Sequence, residues 1–215
     1  MSRCARCDDE RMTTIPAPAR EGGGLLARAI QPVLLLAVMW LVRMLDDALP
    51  GSWNQMFGLI SWSVDGLDGI LLSPGLHGNW SHLLSNSVPL LILGLLVALD
   101  GVGRFWAVTL LIALVSGIGT WLVNAPGTVT VGASGLVFGY FGYLVVRAFV
   151  ARSLGHGVLY AIVALVIVGL YGGSMWVGIF GAAQGISWQA HLFGAIGGAF
   201  AAIATRPRRT ARPAG

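Results

Sequence analysis

Six apolar stretches, each close to the length a helix needs to cross a bilayer, constrain this chain more than any other feature. A hydrocarbon core about 30 Å thick takes roughly 17–25 helical residues to span. Residues 30–49, 82–99, 104–123, 134–150, 157–174 and 189–205 meet that requirement. The fifth is poorly bounded, because GLYGGSMWVGIFGAAQG either extends the helix or forms a loop. Of the 215 residues 56% are apolar and only 10% charged, too little polar surface to cover a globule in water. The expected fold is all-α: a polytopic membrane bundle of six transmembrane helices over residues 30–205. A flexible N-terminal tail (1–29) and a basic C-terminal tail (206–215) flank it.

All 13 basic residues are arginine, and nine lie in the tails. That accounts for the net charge of +4 without a nucleic-acid surface, which would need positive charge on a folded face with aromatics between. Arg104 joins spans two and three, and Arg147 and Arg152 join four and five, so an even span count puts the tails and these loops on one side. By the positive-inside rule that side is the cytoplasm. Cys4 and Cys7 supply half a zinc site at most, since a closed site takes about four ligands. The tail also lacks the apolar stretch and cleavage site of a signal peptide. Arg43, with Asp46 and Asp47, reads as a snorkelling interfacial cluster near the outer end of span one. Trp53, Met56, Phe57 and Ile60, spaced i, i+3, i+4, i+7, predict an amphipathic helix lying flat in the outer interface.

The polar residues at the outer ends of the inward-running spans are not explained by composition. Span two opens on HGNWSHLLSN with His77, His82 and Asn86, span four on GASG with Ser134, and span six on QAHLFG with His191. All enter from the same face and so share one depth. The fourth histidine, His156, falls in an inner loop as a solvated residue. Taken singly, each has an ordinary reading: His82 and Asn86 as interhelical glue, His191 as a satisfied core histidine, Ser134 as a helix N-cap. Their coincidence on three converging helices points to function instead. Gly135 and Gly139 on span four, and Gly194 and Gly198 on span six, allow close backbone approach.

A serine becomes a competent nucleophile when a base takes its proton, and an imidazole is the usual base. His191 is the candidate. No acidic residue follows Asp100, on the inner side, so the unit is a dyad rather than a Ser-His-Asp triad. Phe138, four residues after Ser134, either packs on the imidazole or faces lipid or core. Donors for a developing oxyanion are the Ser134 backbone N–H at a helix start and the side chains of His82 and Asn86. Gly132 and Gly135 leave room for a substrate backbone.

HGNWSHLLSN fits HxxxxHxxxN, GASG fits GxSG and HLFGAIGG fits HxxGxxxG; in order and spacing these resemble the rhomboid intramembrane serine proteases over roughly residues 30–205. The resemblance implies Ser134 as nucleophile and His191 as general base, with His82, Asn86 and the Ser134 amide as the oxyanion hole. His77 becomes a structural residue ordering the first outer loop. Phe138 stands where many rhomboids carry tyrosine, and the Trp-Arg pair found in that loop of many members is absent. The implied activity is cleavage of single-pass membrane proteins in or beside their transmembrane segment, with no metal or organic cofactor. The implied location is the bacterial plasma membrane, with both termini cytoplasmic and the site open to the outer face.

Three rival readings are an inactive rhomboid-like protein that binds membrane clients, a transporter, and a metalloprotease. The first typically lacks the serine or histidine kept here. A transporter favours repeats and midplane charges, and neither is evident. A zinc protease with His77, His82 and His191 as ligands would need HExxH or a carboxylate base at that depth.

Overall fold

The computed structural model describes residues 24–150, 155, 157–163, 165, 166, 168, 169 and 187–205. Among the described residues, three helices are long and apolar enough to cross a membrane: α1 (Leu25–Ala48), α4 (Trp80–Ala98) and α5 (Val102–Val123). Two shorter apolar helices, α6 (Ser134–Val150) and α7 (Trp188–Ala204), complete the well-bounded set. Of the fifth expected span, residues 157–163, 165, 166, 168 and 169 are helical, and the rest lies outside the described residues. His156, the N-terminal CxxC and residues 206–215 also lie outside them.

Local chemistry sets the helix starts. The Asn79 side chain caps α4 by accepting the His82 N–H at 2.8 Å, and the Ser187 hydroxyl caps α7 by accepting from Ala190 at 3.3 Å. Each satisfies one donor that the first turn leaves open. Gly101, at φ +117°, turns the chain from α4 into α5. Pro32 lies inside α1 and Pro89 inside α4, which membrane helices tolerate more readily than helices in water.

The most extensive packing is α6 against α7, followed by α5 against α7, with α1 leaning on α4. Glycine makes the first contact possible. A Cβ on Gly194 would overlap the Gly135 carbonyl, one on Gly198 the Gly139 carbonyl, and one on Gly142 the Ala195 carbonyl. The backbones therefore touch at three points, spread over residues 135–142 of α6 and 194–198 of α7. Around them lies the core, with Phe105, Tyr140 and Tyr143 fully buried. The Tyr140 hydroxyl is matched by Thr109 Oγ1 at 2.7 Å, as a buried phenol requires.

Between α1 and α4 the chain folds into a platform at the Ser134 end of the bundle. It comprises α2 (Trp53–Phe57), β1 (Leu59–Ile60), a 3₁₀ turn at Val64–Gly66, α3 (Gly69–Leu72) and a second 3₁₀ turn at Ser73–Gly75. Strand β1 pairs antiparallel with β2 (Val129–Thr130), which lies just before the serine loop. This corrects the expected interfacial stripe: the helix ends at Phe57, and Ile60 belongs to the strand, opposite Val129. Gly58 allows the turn, since a Cβ there would strike the Asn54 carbonyl.

The Arg43 cluster also departs from expectation. Its side chain is only 11% exposed and turns onto the platform instead of snorkelling toward water. Arg43 Nη1 donates to Asp46 Oδ2 (2.9 Å) and to the His77 carbonyl (3.0 Å), while Nη2 pairs with Asp47. Asp46 Oδ1 in turn accepts the Trp53 N–H at 2.9 Å, and Asp47 Oδ2 accepts from Trp80 Nε1 at 2.7 Å. The cluster clamps α1, α2 and the start of α4 together. At the opposite end, Arg147 is a buried residue of α6, 3% exposed, rather than part of a solvated loop. It grips Asp100 through Nε (2.8 Å) and Nη2 (3.1 Å).

Candidate active site

Ser134 is the first residue of α6 and is half-buried. The segment before it is held from two sides. Gly132 N–H donates to the Ser73 carbonyl at 2.9 Å, and Ala133 N–H donates to His77 Nε2 at 3.4 Å. Gly132 sits at φ +121°, which only glycine adopts without strain. A Cβ there would lie 2.5 Å from His82 Cε1, so the His82 ring rests directly on this glycine.

His77 and His82 form an edge-on pair, centroids 5.1 Å apart. His77 is 1% exposed, and its carbonyl is tied to Arg43 and to Asn54 Nδ2 (3.3 Å). Burial, then the neighbouring His82 and, more weakly, Arg43, lower its pKa from 6.5 to about 4, against an opposing pull from the Gly75 carbonyl. His77 is therefore neutral at physiological pH, as an Nε2 acceptor must be. Asn86, one turn beyond His82 on the same face of α4, is buried, and its Nδ2 donor has no partner among the described residues. Such a group costs about 1–3 kcal/mol to leave unmade and calls for an explanation.

His191 lies in the first turn of α7, 6% exposed. Phe138 stacks on it, centroids 4.1 Å apart and planes within 4°. Since Phe138 is one turn on from Ser134, the imidazole sits on the face of α6 that carries the serine. The alternative of Phe138 facing lipid is thereby removed. Gly135 and Gly194 meet beside the two candidates, and Gly139 and Gly198 meet one turn further on. The structure thus gathers His77, His82, Gly132, Phe138 and His191 around the start of α6, with Asn86 one turn beyond His82.

Two supports were not foreseen from the sequence. Ser116 Oγ on α5 donates to the Ala190 carbonyl at 2.9 Å and fills the space that a Cβ on Gly135 would need. It braces the residue before His191 and the residue after Ser134 at once. Asn124 accepts from Gln189 Nε2 at 3.1 Å and donates to Thr130 Oγ1 at 3.3 Å, linking the start of α7 to β2. A polar pair four residues apart in an apolar helix, Ser116 and Thr120, was the available signal for the first. Beside these groups lies a cavity of about 20 Å³, lined among others by Ser73, Ser116, Thr120 and Gly132, room for about one water. Among the described residues, no three His, Cys, Asp or Glu side chains are placed to hold a metal ion.

This polar site, hung on close-packed glycine helices, falls within a stretch, residues 66–208, that matches the Rhomboid domain. The chain belongs to the rhomboid family. An uncharacterized protein of Mycobacterium tuberculosis is 38% identical over 185 residues, covering 82% of this chain and 75% of its own. A Bacillus subtilis protein, described as a candidate rhomboid protease, is 30% identical over 182 residues, 81% of this chain and 88% of its own. Rhomboid-like protease 5 of Toxoplasma gondii is 36% identical over 139 residues, 60% of this chain and 15% of its own. The rhomboid chain is accordingly a mostly helical, multi-pass membrane protein.

Proposed function

We propose that this rhomboid is an intramembrane serine endopeptidase that cleaves single-pass membrane proteins in or near their transmembrane segment through a Ser134–His191 dyad. The stacking of Phe138 on His191 carries the reading, because it puts an oriented imidazole on the serine's face of α6. His191 takes the Ser134 proton as the hydroxyl oxygen attacks the scissile carbonyl carbon. The carbonyl electron pair moves to oxygen, and the Ser134 N–H, Asn86 Nδ2 and His82 receive that charge. The unmatched buried donor on Asn86 supports this assignment: the tetrahedral intermediate supplies the acceptor that the resting enzyme lacks. The intermediate then collapses, the C–N bond breaks and His191 returns its proton to the leaving amine. Water, deprotonated by the same imidazole, attacks the acyl ester; as the C–O bond breaks, His191 returns that proton to Ser134 Oγ and the acid product leaves.

In the proposed arrangement six helices span a bacterial plasma membrane, both termini are cytoplasmic and the site opens to the outer face. Arginine distribution supports that orientation. Reconstituted protein cleaving a reporter transmembrane segment is the test. Ser134→Ala and His191→Ala should each abolish turnover and leave the thermal unfolding curve in place; turnover by either at the wild-type rate refutes the dyad. A wild-type protein that binds the segment without cutting it would favour an inactive client-binding rhomboid.

A further inference from the structure

One side chain joins the segment that leads into Ser134 to the helix that carries His191. Asn124 ends α5, and each of its polar atoms is engaged. Its N–H donates to the Thr120 carbonyl at 3.0 Å, closing the last turn of the helix. Its carbonyl accepts from Trp62 Nε1 at 3.0 Å. Oδ1 accepts from the Ala125 N–H at 2.9 Å and from Gln189 Nε2 at 3.1 Å, and Nδ2 donates to Thr130 Oγ1 at 3.3 Å. A backbone N–H can only donate, so Ala125 fixes which end of the carboxamide is oxygen. The donor end must then face Thr130.

The two ends of that carboxamide serve different elements. Thr130 belongs to β2, four residues ahead of Ser134, and is paired with Leu59 on β1. Gln189 lies in the first turn of α7, two residues before His191, and is buried. Its Oε1 accepts from the Ser187 hydroxyl at 3.4 Å, which leaves Nε2 aimed at Asn124. One planar group thus spans the approach to the serine and the helix of the base. The glycine contacts set how near α6 and α7 come; hydrogen bonds, being directional, also fix how the elements that join them are turned.

The platform is pinned at the same residue. Trp62 is the one non-glycine residue at positive φ, +63°, among the described residues, a region that bulky side chains rarely enter. Its indole bond to Asn124 and its stacking on Trp121, centroids 5.8 Å apart, hold it there. Such conformations persist where surrounding contacts over-determine them. Capping of α5 would need only Oδ1 and the Ala125 N–H, and explains neither Gln189 nor Thr130.

We propose that Asn124 is a positioning residue for the dyad: it holds the strand entering Ser134 and the first turn of α7 in the placement that lets His191 reach the serine hydroxyl. This role presupposes the Ser134–His191 protease. A misplacement of about 1 Å can cost on the order of a hundredfold in rate, so losing the link should slow the chemical step and spare substrate binding.

The test is the rate at which a fluorophosphonate probe acylates Ser134 in the full detergent-solubilised chain, with kcat and KM on a reporter transmembrane segment and the thermal unfolding midpoint measured alongside. Asn124→Ala should slow labelling and kcat roughly tenfold or more, at little-changed KM. Gln189→Ala leaves the Asn124–Ala125 cap intact and should also slow labelling severalfold, which keeps the test open if Asn124→Ala does not fold. Adding it to Asn124→Ala should slow labelling no further, because both remove the same link. Asn124→Asp should stay near wild type, since one oxygen keeps Ala125 and Gln189 and the other can accept from the Thr130 hydroxyl. Wild-type labelling by both alanine variants with a lowered midpoint would reduce Asn124 to a helix cap and overturn the proposal. Multiplying effects in the double variant, or an aspartate variant as slow as the alanine one, would overturn it too. A wild-type chain that the probe does not label refutes the dyad itself and takes the positioning role with it, a result distinct from a labelled wild type with unaffected variants.

Discussion

Replacing Phe138 with leucine tests the contact on which the catalytic reading turns. The ring lies parallel to His191 at 4.1 Å, and in the proposed reaction the imidazole becomes cationic over that face. Aromatic contacts contribute about 0.5–1.5 kcal/mol beyond area burial, and a desolvated cation on a ring face about 2 kcal/mol. A loss of about 1–2 kcal/mol in the transition state corresponds to roughly a five- to thirtyfold drop in kcat. Leucine keeps most of the buried volume, so stability should fall by under about 1.5 kcal/mol. Initial rates on a reporter transmembrane segment in proteoliposomes, over a range of substrate densities, should show lower kcat at little-changed KM, and Phe138→Tyr, which keeps the ring, should stay near wild type. A leucine variant at full rate, or a tyrosine variant as slow as the leucine one, refutes the stacking argument.

Gly198→Ala should destabilise by about 1–3 kcal/mol or more, because its methyl group would meet the Gly139 carbonyl; detergent-solubilised thermal unfolding reads this directly, and an unchanged midpoint would deny the close contact. His77 gives a pH dependence of definite sign. Its folded pKa, about 4, lies below the ordinary 6.5, so the unfolded chain binds the extra proton between those values and stability falls as pH drops from 6.5 to 4. The slope integrates to about 3 kcal/mol across that window. His77→Phe should flatten this part of the curve, and an equally steep variant would place the dependence elsewhere.

The order HGNWSHLLSN, GASG and QAHLFG was enough to bring out the polar layer, because helix periodicity and chain direction put their side chains at one depth. The start of α6 at Ser134 and the close approach of Gly135 to Gly194 were legible for the same reason: both are consequences of spacing along a single helix. What spacing does not encode was missed. Arg43 looks like an interfacial residue until its acceptor, the His77 carbonyl, is seen 34 residues away; a backbone oxygen leaves no mark in composition. The β1–β2 pair is two residues long on each side, too short for an alternating pattern, so Ile60 was drawn into a helical stripe. Asp100 read only as the last acidic residue, on the inner side, whereas Tyr143, Arg147 and Tyr160 all bind it.

The glycine seam between α6 and α7 bears on how a substrate enters in the proposed protease. Where these backbones touch at Gly135, Gly139 and Gly142, no side chain lies between them to yield, so separating the helices there breaks the contact outright. The serine and histidine therefore ride on one stiff beam. If the chain is the proposed protease, admission of a substrate falls to other members of the bundle, and mutations that raise turnover are expected on α4 or in the platform, away from that beam.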